Sequence, residues 1–222
     1  LWRIYHTWRC RKYREMLDEE TRRIMREKLS ASEIFRGRKT LYPETVPRPF
    51  KGDYVQLRQN VNWRRLTETT GESEVFFSDI VYKINRSNAK DSLRLMVLCD
   101  TSMLIVNQKT LAIKYRLPVT EVAGISVSPY MDNLFVIHIN QTGEEASRKG
   151  DFVFHSEHLV EIVSKLRDQA ERAKGAQVPV RISNTFNAQF NGKGIQVEFV
   201  ETGLNGKMPV CKRKDDQLDV LV

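Results

Sequence analysis

Val81–Val106 reads VYKINRSNAKDSLRLMVLCDTSMLIV. VYKIN is short and rich in β-formers, RSNAKDS has the Asn, Asp and Ser of a loop, and LRLMVL is an apolar run with one cation. Cys99-Asp100-Thr101-Ser102 turns the chain and MLIV resumes it. This gives strand, basic loop, strand, turn, strand. Lys83 precedes the loop, Arg86 and Lys90 lie in it, and Arg94 begins the next strand, with Asp91 the single acid among them. If the flanking strands pair, the four cations converge on one open end of a sheet, a setting for a multiply charged anion. Arg grips phosphate oxygens as a planar fork and Lys supplies a mobile point charge. The plain alternative is a solvated loop whose charges only keep it soluble.

Outward from this hairpin, strands are expected at 75–84, 93–99, 103–107, 112–117, 122–127, 133–139 and 151–154. Asn107-Gln108-Lys109-Thr110 and Gln141-Thr142-Gly143-Glu144 supply turns between them. Residues 157–174 then change period: Leu159, Val160, Ile162, Val163 and Leu166 recur at helical spacing, with Ser156 as a cap and Gly175 as the stop. Seven strands followed by one helix is the order of a pleckstrin-homology domain, in which the helix plugs a bent sandwich; other small barrels share it. Beyond it, 178–182, 185–190, 195–200 and 210–212 read as strands, with hairpin turns at Asn191-Gly192-Lys193-Gly194 and Leu204-Asn205-Gly206-Lys207.

Before the hairpin, residues 1–29 read as one helix, uninterrupted by Gly or Pro and carrying opposite-charge pairs such as Asp18/Arg22 and Arg23/Glu27. Its first half interleaves Trp2, Ile4, Tyr5, Trp8 and Tyr13 with Arg3, Arg9, Arg11, Lys12 and Arg14, a surface made to be wrapped by an acidic, apolar partner or to pack on its own domain. Ser30-Ala31-Ser32-Glu33 has the form of a capping box and predicts a short second helix ended by Gly37. The prolines of 42–50 (YPETVPRPF) predict an extended connector, and 53–66 fits either helix or strand. The fold class is therefore α+β: N-terminal helices, a pleckstrin-homology-like bent β-sandwich with a C-terminal helix, then added β-hairpins. The expected divisions are 1–29, 30–70, 71–175 and 176–222.

Composition narrows the partners. The 222 residues are 41% hydrophobic and 29% charged, enough apolar content for an ordinary core, with a net charge of +8. Such a balance suits an anionic membrane, nucleic acid or an acidic protein. The aromatics that would stack bases sit in the first helix and not on a sheet face, which argues against nucleic acid. No apolar run approaches the roughly 18 residues that span a bilayer. Three dispersed cysteines, Cys10, Cys99 and Cys211, indicate a reduced intracellular compartment, and a chain opening LWRIYH reads as part of a longer one. Gly206-Lys207 is followed by Met208, so no phosphate-binding GxxxxGK[ST] loop is present. His155 and His158 lack a third ligand nearby and read as capping or surface residues. Nothing supports a metal, a cofactor or a catalytic centre.

Two resemblances extend this reading. Residues 4–14, IYHTWRCRKYR, are similar to an IQ motif, IQxxxRGxxxR, matching at Ile4, Arg9 and Arg14, with Tyr5 in place of Gln and Cys10 in place of Gly. WRCRKYRE, SEIFRGRK, LYPETVPRPFKGDY, KINRSNAK, GISVSPYMDNLFVIHI and KGDFVFHSEHLVE, in that order, resemble the tail of a short-tailed class I myosin: last IQ motif, linking helix and tail homology 1 domain, nearest the brush-border-type branch (myosin-Ia/Ib). The resemblance implies calmodulin or a related light chain on Ile4, Trp8, Arg9 and Arg14. It implies anionic phospholipids, phosphoinositides included, at Lys83, Arg86, Lys90 and Arg94. The family's signature is the Lys that ends the first strand and the Arg in the second, here Lys83 and Arg94. Ser92 stands where the wider pattern has another basic residue, which implies a looser, charge-driven attachment. A protein cargo adaptor on the sandwich is the alternative partner. Actin contact is expected only through a motor domain outside this stretch, and ATP-driven activity belongs to that motor. The implied location is the cytoplasmic face of the plasma membrane, in actin-rich protrusions such as microvilli.

Overall fold

The structure is a computed structural model that describes residues 1–140, 150–203 and 208–222. The expected turns at 141–144 and 204–207 lie outside the described residues. Strand β1 (Val75–Ile84) is the spine. It pairs along its length with β2 (Asp91–Cys99), Tyr82 facing Leu93 and Lys83 facing Ser92. Its last three residues also pair with β7 (Phe152–His155). Strands β3 (Ser102–Val106), β4 (Ile113–Pro118), β5 (Val122–Val127) and β6 (Leu134–Ile139) complete the order β4-β3-β2-β1-β7-β6-β5, and β8 (Val180–Ile182) adds in parallel to β5. The sheet folds on itself at β1. Phe77, Val81, Met96, Leu98, Met103, Ile105 and Leu117 of one half meet Ile125, Val127, Phe135, Ile137, Phe152 and Phe154 of the other. Helix α5 (Leu159–Lys174) plugs one end with Leu159, Ile162, Val163, Leu166 and Ala170, and Gly175 ends it at φ +64°. This is the pleckstrin-homology-like order expected, on an α+β chain.

The β-tail forms its own sheet. β9 (Thr185–Phe190) and β10 (Lys193–Val200) are a hairpin whose turn, Asn191-Gly192, has φ of 51° and 79°, values Asn and Gly tolerate. β12 (Gln217–Leu221) lies parallel to β10 and antiparallel to β11 (Val210–Lys214). Alternation is strict: Phe186, Ala188 and Phe190, then Ile195, Val197 and Phe199, then Leu218 and Val220 face inward. They pack on Ile84, Leu134, Val136 and Val153, the outward face of β1, β6 and β7.

The N-terminal elements correct three expectations. Residues 1–29 are two helices, α1 (Trp2–Met16) and the start of α2 (Glu19–Phe35). Leu17 is extended, and Asp18 is an N-cap whose carboxylate accepts a hydrogen bond from Thr21 N at 2.7 Å. A capping Asp and a helix-interior Asp look alike by charge spacing alone. Ser30 begins no helix: it lies inside α2, and its hydroxyl donates to Asp168 of α5 at 2.9 Å. The proline segment holds a one-turn helix, α3 (Tyr42–Thr45), because Pro43 sits in the first turn, where no N–H is needed. The undecided stretch becomes a 3-10 turn (Leu57–Gln59) and α4 (Val61–Thr70), capped by Asn60. Trp63 and Leu57 cover the outer face of β2 and β3 at Leu95, Val97, Leu104 and Val106.

Candidate anion site and N-terminal helix

The register fixes where the four cations go. Lys83 faces Ser92 and Arg94 faces Val81, so Lys83 and Arg94 share the inner face of the sandwich, next to Met96 but at its open end. Asn85 N donates to Lys90 O at 2.8 Å and closes the loop. The side chains of Asn85 and Asn88 cap the loop amides of Ser87 and Lys90, and Ala89 is held at φ +56°. Lys83 is 8% exposed, its ammonium 5.2 Å from the Tyr115 ring centroid and 5.7 Å from that of Phe152. Lys90 is exposed and Arg94 half-buried, its guanidinium donating to Leu93 O at 2.7 Å. Arg86 differs from the other three. It shares near-burial (7% exposed) and a place over Phe152 (4.2 Å) with Lys83, but its guanidinium donates to two carbonyls, Asp151 O and Gly150 O, at 2.6 Å each. Burial pulls its pKa down to about 10.

α1 buries no residue, among the described residues. Ile4 is 72% and Trp8 53% exposed, and Trp2, Tyr5 and Tyr13 are exposed with them. Arg14 is free to solvent along its side chain, while Arg9 donates to the Tyr13 hydroxyl at 3.3 Å. The C-terminal half of α2, by contrast, is docked. Ala31, Ile34 and Phe35 are buried against the core, Lys165 of α5 lies 3.1 Å from Glu27, and Lys28 sits over Phe50.

The histidines have plain settings. His158 Nδ1 lies 2.7 Å from Asp79 and its ring stacks on Tyr54, while His155 lies edge-on to Tyr82. Sequence reading missed a hydrogen-bonded chain in which Ser126 Oγ lies 2.7 Å from His138 Nε2 and His138 Nδ1 lies 2.8 Å from Asp151. The connectivity is that of a catalytic triad, but Ser126 is 0% exposed in mid-strand and the Asp151 carboxylate also accepts from Ile139 N and Gln189 N. A hydroxyl so placed reaches no substrate, and the chain acts as a strut between β5, β6 and the tail sheet. Spacing gave no signal for it, since its residues meet only through strand pairing. Among the described residues no helix is long and apolar enough to cross a membrane.

Comparison with known proteins gives this geometry a context. A family profile described as "Unconventional myosin tail, actin- and lipid-binding" matches residues 41–222. Mouse unconventional myosin-Ib is 36% identical over 217 residues, 97% of this chain and 19% of that protein. Bovine unconventional myosin-Ia is 34% identical over 225 residues, covering 100% of this chain and 21% of that protein. The chain thus spans about a fifth of the length of these relatives. A crystal structure of the Slm1-PH domain in complex with inositol-4-phosphate aligns with TM-score 0.37 and 17% identity, covering 44% of this chain and 95% of that one, a likeness too distant to bear on ligands. The family description includes actin binding in the tail itself, which corrects the expectation that actin contact comes only through a motor domain. With the profile running from α3 to the last strand, the chain belongs to the actin- and lipid-binding tail family of the unconventional myosins.

Proposed function

We propose that the tail attaches a class I myosin to the anionic inner face of the plasma membrane through the open end of the sandwich, and that α1 carries calmodulin or a related light chain. One observation supports the membrane reading above the rest: Lys83 and Arg94 share the inner face at that open end, beside exposed Lys90. A phosphorylated headgroup entering there meets an ammonium held over two aromatic rings and a guanidinium one register step away. Ser92 between them adds a hydroxyl and no charge, so attraction is set more by the amount of anionic lipid than by one headgroup's shape. The open apolar stripe Trp2, Ile4, Tyr5 and Trp8 supports the light-chain reading.

The test is co-sedimentation with neutral, phosphatidylserine and phosphoinositide vesicles. Two basic residues near such a surface contribute about 2 kcal/mol, so Lys83→Gln with Arg94→Gln weakens attachment roughly thirtyfold at physiological salt. Arg64→Gln with Arg65→Gln removes the same charge from exposed α4 and serves as the control. Equal losses from the two pairs would mean bulk charge alone and defeat the reading.

A further inference from the structure

We infer that Arg86, Gly150 and Asp151 form a clasp through which the C-terminal sheet holds the basic loop in its anion-binding shape, so that Arg86 is a positioning residue and not a ligand. The functional consequence rests on the membrane reading above; the clasp rests on geometry alone. Arg86 sends Nε to Asp151 O and Nη2 to Gly150 O, both at 2.6 Å, with Phe152 beneath the fork. Burial does not set Arg86 apart, since it is 7% exposed and Lys83 8%; the two carbonyl bonds do.

The same two residues tie to the tail sheet. Asp151 N donates to Gln189 O at 2.7 Å, Gln189 N donates back to the Asp151 carboxylate at 2.9 Å, and Gly150 bridges Phe190. At the loop's far end Ala89 is buried in the core that the tail sheet makes with β6 and β7. Residues 85–90 are therefore pinned twice, by Arg86 through the clasp and by Ala89 through packing. Gly150 has φ +83°, and a Cβ there would stand 2.1 Å from Gln189 O, so the crossing admits only glycine. Lysine cannot replace Arg86, because one ammonium on a flexible stem does not reproduce a planar fork across two successive carbonyls.

The experiment uses the full chain with Arg86→Lys, Arg86→Gln and Gly150→Ala. Amide hydrogen exchange over 85–90 is measured without lipid, and binding is measured on phosphatidylserine–phosphoinositide vesicles. The clasp predicts faster exchange over 85–90 in all three. It also predicts that Arg86→Lys, which keeps its charge, weakens binding at least about fivefold, as much as deleting one surface cation would. Arg86→Lys matching the unmutated chain in exchange and binding while Arg86→Gln binds weakly would make Arg86 a charge ligand and overturn the inference. Unchanged exchange over 85–90 in Gly150→Ala overturns it as well. Full binding by Lys83→Gln with Arg94→Gln would instead remove the membrane reading and leave the exchange result to decide the clasp.

Discussion

Lys83 and Arg86 lie three residues apart and are almost equally buried, at 8% and 7% exposure, yet their surroundings differ. Lys83 lies over the rings of Tyr115 and Phe152 at the open end, and Arg86 is bonded to two carbonyls. Charge spacing made them equivalent, since position 86 acquires its partners only when β7 is brought beside β1. His155 shows the same dependence on packing. Burial depresses its pKa, partly offset by Asp132, Glu157 and Asp91, and its Nδ1 is without a hydrogen-bond partner among the described residues. The folded state holds the neutral ring, whereas the unfolded chain takes up a proton near the ordinary value of about 6.5. Its contribution is thus complete above that pH and is lost as pH falls toward the depressed folded value. The thermal midpoint should fall between about pH 7 and about pH 5, and His155→Phe should flatten that slope. Scanning calorimetry at each pH checks this, and an unchanged slope in the variant assigns the effect elsewhere.

α1 is shorter than the helix expected over 1–29, but its large apolar residues Trp2, Ile4, Tyr5, Trp8 and Tyr13 are all exposed. Ile4→Ala with Trp8→Ala should abolish co-elution with calmodulin in gel filtration, with and without calcium, and leave vesicle binding by the sandwich in place. Retained co-elution would put the partner's grip elsewhere, for instance at the elbow groove lined by Leu17, Met25 and Leu29. Among the strands, β1, β5 and β9 were legible to the residue, because turn residues bound them and apolar positions alternate or run unbroken. β2 and β3 were legible as strands, but their two-sided burial was not interpretable until α4 was seen to lay Trp63 across them. β12 was missed although Asp215-Asp216 is a two-residue hairpin turn back onto β11, because the polar run KRKDDQ hides the short alternation of Leu218 and Val220, which only the parallel pairing with β10 buries. The helix break at Asp18 and the interior place of Ser30 were missed for a shared reason. Cap and interior positions draw on the same polar residues, and only the partner decides: Thr21 N for one, Asp168 for the other.

At the scale of the molecule, the N-terminal helix α2 and the sandwich are joined by a polar seam under an apolar contact. Lys165 lies 3.1 Å from Glu27 and 3.2 Å from Glu161, whose carboxylate also accepts from Tyr54 at 2.6 Å and Gly52 N at 2.9 Å. Desolvation raises the Glu161 pKa, and Lys165 pulls against it. α2 thus seats on the plugging helix, α5, while the basic loop belongs to the open end and is braced from behind by the tail sheet. The net charge of +8 supplies general attraction to an anionic surface, whereas attachment through the open end requires contact at one place. Hydrogen exchange on vesicles tests that requirement most directly. With anionic vesicles, protection should concentrate on residues 85–90 and on the neighbouring β3–β4 loop, 107–112, and it should be absent with neutral vesicles. Protection on α4 or the tail sheet, with 85–90 unchanged, would contradict it.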